Sequence, residues 1–150
     1  ENAVFVERAV ETGFSAGACQ IDGTPANLAD YLLDNGIDTR LPLVADYSGA
    51  MINVSIKGIE RSSKRVEFYA PVFPGVEYRV AAPISDYHHA IESALPKVNG
   101  EIAFSCNCIL NFLYSDLEGK HTGHIIGPMT FGEIGYQLLN QTMVFLNVGD

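Results

Sequence analysis

Cations, cysteine and long apolar runs are all scarce in this sequence, and tryptophan is missing altogether. Nine Lys and Arg stand against eighteen Asp and Glu, a net charge of −9, and such a field repels phosphate backbones and anionic lipid headgroups. Nucleic acid and membrane surfaces are therefore not expected partners. No window approaches the roughly 18 consecutive apolar residues of a membrane span, and no basic stretch leads into an apolar run as an export signal does. Three cysteines, an odd number, fit a reducing compartment better than a disulfide framework, so the expected location is cytoplasmic. Glu1 stands where an initiator Met would, which reads as a piece of a longer protein, an expression scar or a processed start.

What remains is a chain able to fold without staples. Its 150 residues are 47% hydrophobic, one domain's worth of chain with enough apolar surface for a core. Gly and Pro fall singly between periodic segments, and no repeat or low-complexity tract offers a linker. Residues 3–10 and 15–22 are rich in β-branched and aromatic types and predict an opening hairpin. Thr24-Pro25 supplies a cap oxygen and a preset φ, and Gly36 sits where a left-handed stop belongs, so a helix is expected over 25–35. Strands follow at 41–45, 51–59, 65–69 and 76–82, separated by Ser48-Gly49, residues 61–64 and Pro74-Gly75. Ile84, Tyr87, Ile91, Leu95 and Val98 recur at helical spacing behind a cap at Ser85 or Asp86. Residues 101–110 read as a strongly apolar strand, with a short helical or irregular piece running on to Leu117. Residues 141–148 read as a closing buried strand, because Met143, Val144, Phe145 and Leu146 leave no wet face. The expected fold class is α+β, a largely antiparallel mixed sheet with two main helices in a single domain spanning 1–150.

Chemistry is harder to place. Cys106 and Cys108 with His121 and His124 superficially suggest a zinc site, but both gaps are shorter than structural zinc sites use. Under a period of two, Ile102, Phe104, Cys106, Cys108 and Leu110 share one face of their strand, the expected core face. A thiol nucleophile at Cys106, with His121 or His124 as base and Glu133 as orienter, has the right residue types. Nothing in the sequence lowers the pKa of a thiol in the middle of a strand. The stretch 127–136 holds Gly127-Pro128 and Gly132-Glu133-Ile134-Gly135, a chain bent through tight conformations of the sort that lines pockets. Ser105 and Asn107 occupy the strand face opposite the cysteines. If that face meets the Gly132–Gly135 loop, Ser105, Asn107 and Glu133 form a pocket with convergent polar groups.

Several ordered pieces resemble the C-terminal domain of FIST proteins, named for F-box and intracellular signal transduction. They are residues 20–26 running into Tyr31-Leu32-Leu33, Pro71-Val72-Phe73-Pro74-Gly75, Phe104-Ser105-Cys106, Phe131-Gly132-Glu133-Ile134-Gly135, and Leu139-Asn140-Gln141-Thr142. The resemblance implies a non-enzymatic, cofactor-free sensory domain that binds an amino acid or related metabolite and reports to signalling proteins. Carried over by position, it points to Ser105, Cys106, Asn107, Phe131, Gly132, Glu133, Gly135 and Asn140 as ligand-binding residues. The chain departs from that pattern at Asn107-Cys108, where the family often has Gly-Arg after the Ser-Cys, and in lacking the N-terminal FIST domain. A Cys-dependent or metal-assisted hydrolase using Cys106, His121, His124 and Glu133 is the alternative. An interaction or dimerisation module, which would put an apolar patch outside, is a third, and homo-oligomerisation is left open.

Overall fold

A computed structural model describes residues 2–5, 13–95, 100–123, 125–135 and 137–149. The class is α+β with mostly antiparallel sheets, as the alternating patterns predict. The chain divides into two compact units, Glu1–Ala82 and Pro83–Asp150.

In the first unit, β1 (Asn2–Phe5), β3 (Ala18–Ile21), β4 (Thr24–Asn27), β5 (Leu43–Tyr47), β6 (Ala50–Val54) and β9 (Glu77–Val80) form a six-stranded sheet ordered β4-β3-β1-β9-β5-β6. A second sheet holds β2 (Ser15–Ala16), β8 (Arg65–Phe68) and β7 (Ile56–Glu60) in that order. The opening hairpin exists as the β1–β3 pair, although part of its first predicted strand lies outside the described residues. Its second strand is broken at Gly17, where a Cβ would lie 3.1 Å from the Lys64 carbonyl oxygen and 3.2 Å from Asn27 Nδ2. The single strand expected over 51–59 is likewise two, β6 and β7, which leave buried Ser55 into different sheets. Asp22-Gly23 and Ser48-Gly49 both have two successive positive φ values. That is the type I′ geometry whose twist suits a two-residue hairpin.

The first helix is shorter than predicted. α1 spans Leu28–Asp34, and Thr24-Pro25 belongs to β4. The N-cap is Asn27, whose Oδ1 accepts hydrogen bonds from the N–H groups of Ala29 (3.0 Å) and Asp30 (3.2 Å). Pairing of β4 with β3 holds residues 24–27 extended and overrides the local Thr-Pro signal. Gly36 has φ 61°, the left-handed stop expected. Leu28 and Leu32 are buried with Phe5, Leu43, Val54, Val66 and Tyr78 in an apolar core. The Tyr78 hydroxyl lies 2.7 Å from that of Tyr47 and accepts from the Phe73 N–H at 3.0 Å.

The second unit has α2 (Tyr87–Ala94), capped by Asp86, then β10 (Glu101–Cys108) running into α3 (Ile109–Tyr114). The expected strand over 101–110 thus ends two residues early. β10 is central in a three-stranded sheet, parallel to β11 (Met129–Thr130) and antiparallel to β14 (Met143–Val148). β12 (Glu133–Gly135) and β13 (Gln137–Leu139) form a separate hairpin.

Burial in this unit reverses two expectations. β14 is not a buried strand, for Val144, Leu146 and Val148 are 41%, 57% and 58% exposed. Phe104, on the expected core face of β10, is 53% exposed, whereas Ser105 and Asn107 on the polar face are buried. The reason is topological: α3, β11 and the 125–128 segment lie against the Ser105–Cys108 end of β10 and leave the Phe104 end, paired with Leu146, uncovered on one side.

Candidate functional site

The sequence-predicted site residues all lie in the second unit, but they do two separate structural jobs. The first is a carboxylate clasp. Glu133 is buried, and its Oε1 accepts from the Thr130 hydroxyl at 2.5 Å while its Oε2 accepts from the Thr142 hydroxyl. Thr130 Oγ1 also lies 3.2 Å from the Asn107 carbonyl oxygen. One acid therefore ties β11, the β12–β13 hairpin and the entry to β14 together. Gly132 enables this by holding φ 138°, in a place where a Cβ would lie 2.9 Å from the Leu139 carbonyl oxygen. Asn140 is fully buried beside that hairpin, with Nδ2 3.1 Å from the Leu139 carbonyl oxygen. Phe131 and Gly135 stand at the surface, Phe131 being 93% exposed.

Cys106 lies on the clasp side, hydrogen-bonded to Thr130. Burial and the neighbouring Glu133 carboxylate push its thiol pKa up, the opposite of what an activated nucleophile needs. Its proposed bases do not gather around it within the described residues. His121 is exposed, and its backbone carbonyl meets His88 Nε2 at 2.5 Å. His124 lies outside the described residues. Cys108 is fully buried.

The second job belongs to the opposite face of β10. Ser105 Oγ accepts from the N–H groups of Ile126 (3.2 Å) and Gly127 (3.0 Å), fastening the 125–128 segment against the strand. Gly127 is obligatory here, since a Cβ would sit 1.6 Å from the Ser105 carbonyl oxygen. Asn107 is fully buried; its Oδ1 accepts from Asn111 Nδ2 at 2.9 Å, and the Tyr87 hydroxyl donates to Asn111 Oδ1 at 2.6 Å. Asn107 Nδ2 has no hydrogen-bond partner among the described residues. Burial, and secondarily the nearby Cys108, pushes the Tyr87 hydroxyl up to about 12.

Beyond the Ser105 fastening a cleft of about 490 Å³ opens between β10 and Gly123, Ile126, Gly127 and Pro128. Its walls include Ile102, Phe104, Ser105, Gly123, Ile126 and Pro128, and among the described residues no charged side chain lines it. A second, smaller cleft of about 290 Å³ lies between α2 and β14, with Tyr87, Ile91, Asn111, Met143 and Phe145 on its walls. Of the predicted pocket trio, only Ser105 lines either cleft. Sequence reasoning missed Thr130, Gly123 and Asn111. The i, i+4 spacing of Asn107 and Asn111 signals a pair only once the strand-to-helix junction between them is known.

The family model that matches this chain, over residues 6–149, is that of a family of unknown function, DUF6976. It corrects the FIST resemblance: the pieces that resemble FIST proteins are short and individually weak, while this match spans the chain nearly end to end. The expectations of sensing and of signalling partners lose the support that resemblance gave them. No curated protein and no solved structure matches.

Proposed function

For a chain that belongs to the DUF6976 family, we propose a non-catalytic domain that binds a small uncharged molecule in the larger cleft of its second unit. The observation that carries this reading is the composition of that cleft. A volume of about 490 Å³ falls in the usual range of ligand sites, roughly 300–1,000 Å³. Among the described residues its lining is apolar side chains, bare glycine backbone and the Ser105 side chain, with no side-chain cation or anion. A zwitterionic amino acid would lose its hydration there with no counter-charge to replace it, at a cost of several kcal/mol or about that order. An aromatic or aliphatic group carrying one amide or hydroxyl matches the lining better. The raised thiol pKa of Cys106 supports a non-enzymatic role, and three unpaired, buried cysteines support a reducing, cytoplasmic setting.

The test is a two-dimensional amide NMR titration with neutral aromatic amides, and with free amino acids as comparators. The expected result is saturable shifts of the Gly123 and Gly127 amides with the neutral probes, together with a thermal shift. A ligand at 100 times its Kd adds about 2.7 kcal/mol. Amino acids that bind while neutral amides do not, or a panel that moves neither glycine, would overturn the proposal.

A further inference from the structure

Independently of the larger cleft, we infer that the smaller one, between α2 and β14, binds a compact neutral amide whose N–H and C=O point the same way: a lactam or a primary carboxamide. Its volume of about 290 Å³ lies just below the roughly 300 Å³ at which drug-sized sites begin, so the occupant is small. Ile91, Met143 and Phe145 give it apolar walls, and Tyr87 and Asn111 bring polar groups to it. Among the described residues no charged side chain borders it.

Unspent hydrogen-bonding capacity selects the ligand. The Tyr87 hydroxyl donates to Asn111 Oδ1 at 2.6 Å, and Asn111 Nδ2 donates to Asn107 Oδ1 at 2.9 Å and to the Thr142 carbonyl oxygen at 3.3 Å. Both hydrogens of the Asn111 amide are thereby used. What is left stands at the two ends of this three-residue chain. Tyr87 Oη can still accept, and Asn107 Nδ2, with two hydrogens to give, has no partner among the described residues. Asn107 is fully buried, and a buried donor without an acceptor costs stability. Its side chain belongs to the cleft's side of the sheet, because it is the direct cross-strand partner of Met143 and opposed residues of an antiparallel pair share a face.

The donors run one way, from Tyr87 through Asn111 to Asn107. A ligand whose carbonyl accepts from Asn107 Nδ2 and whose N–H donates to Tyr87 Oη keeps that direction and closes the chain into a ring, each bond polarising the next. One small molecule does both only if its donor and acceptor lie side by side. Lactams and primary carboxamides have that arrangement, whereas an open secondary amide is trans and points the two apart. A carboxylate has no hydrogen to donate and an ammonium no lone pair to offer, and either would lose its hydration with no counter-charge beside it. Burial pushes the Tyr87 hydroxyl up to about 12, so at neutral pH it keeps the proton that sets the direction of the chain.

Two-dimensional NMR of the side-chain amides, on the whole 150-residue chain titrated with δ-valerolactam and with its N-methyl analogue, tests the assignment. The expected result is a saturable shift of the Asn107 and Asn111 side-chain signals with δ-valerolactam, and binding at least about tenfold weaker for the analogue, which has lost the N–H. In Tyr87→Phe, verified as folded by circular dichroism, the lactam should bind no better than its N-methyl analogue. The comparison of the two lactams needs only the wild-type chain, so it stands even where that variant fails to fold. No shift at Asn107 and Asn111, equal affinities for the two lactams, or a preference unchanged in folded Tyr87→Phe each overturns the inference. Shifts confined to Gly123 and Gly127 overturn it as well, while leaving the reading of the larger cleft in place.

Discussion

A thiol in the middle of a β-strand becomes reactive only when its surroundings favour the anion, and the surroundings of Cys106 do the reverse. Burial and the Glu133 carboxylate both raise its pKa. Removing the negative charge should therefore speed its chemistry. In Glu133→Gln, alkylation of Cys106 at neutral pH is expected to run severalfold faster than in the wild type, with Cys19 and Cys108, both buried, unchanged. Peptide mapping after timed iodoacetamide exposure reads this directly, and equal rates in the two proteins would show that the acid does not act on the thiol. That nothing in its own segment would lower the Cys106 pKa was legible in the sequence, since a mid-strand cysteine has no helix N-terminus to help it. That Glu133 stands in a chain bent at glycines was legible too, from its place between Gly132 and Gly135. Its partners were not: Thr130 and Thr142 reach the carboxylate only because β11 lies parallel to β10 and β14 antiparallel to it, pairings that local pattern does not encode.

Among the elements, α1 illustrates how a sheet sets the limits of a helix. Thr24-Pro25 is a sound start signal, but four ladder pairs with β3 keep residues 24–27 extended and pass the capping role to Asn27. Asn27 has a further task, as its Nδ2 donates to the Lys64 carbonyl oxygen at 3.1 Å and so ties the helix start to the β7–β8 turn. Asn27→Ala is expected to lower the unfolding free energy by about 1–2 kcal/mol, the upper part of the range for a lost N-cap. Urea denaturation measures it, and a change below the error of the method would deny the cap its weight. The turns at Asp22-Gly23 and Ser48-Gly49, the stop at Gly36 and the cap at Asp86 were readable because each depends on one or two residues. The exposure of β14 was not readable. Its run of apolar residues fits a strand covered on both sides and a strand covered on one side equally well, and only the layer above it distinguishes them.

At the scale of the whole molecule, the two units differ in what they bury. The first has an apolar core that includes Tyr78; the second surrounds a polar network in which Tyr87 takes part. Both hydroxyls are pushed up by burial, Tyr87 to about 12. Below the ordinary tyrosine value near 10 both states of the protein are protonated and the fold keeps its full stability. Above it the unfolded chain ionises first while the native hydroxyls hold their protons, so stability falls as pH rises from 10 toward 12. Urea midpoints should therefore decline through that window, and less steeply in Tyr87→Phe than in the wild type. A flat profile, or identical slopes, would contradict the assignment. The fold class was visible in the alternation of short strands and punctuating glycines. The cleft was not, because it arises beside the 125–128 segment, whose place against β10 depends on Ser105 gripping two amides some twenty residues away.

The breaks at Gly17 and Ser55 have a mechanical meaning. At each, the backbone of the first unit passes from one sheet to the other, and it does so again between β1 and β2 and between β8 and β9. A single crossing would let the two sheets swing like leaves on a pin. Four crossings lace them together, so neither sheet can peel away while the other persists, and amide exchange in both should slow and quicken in step.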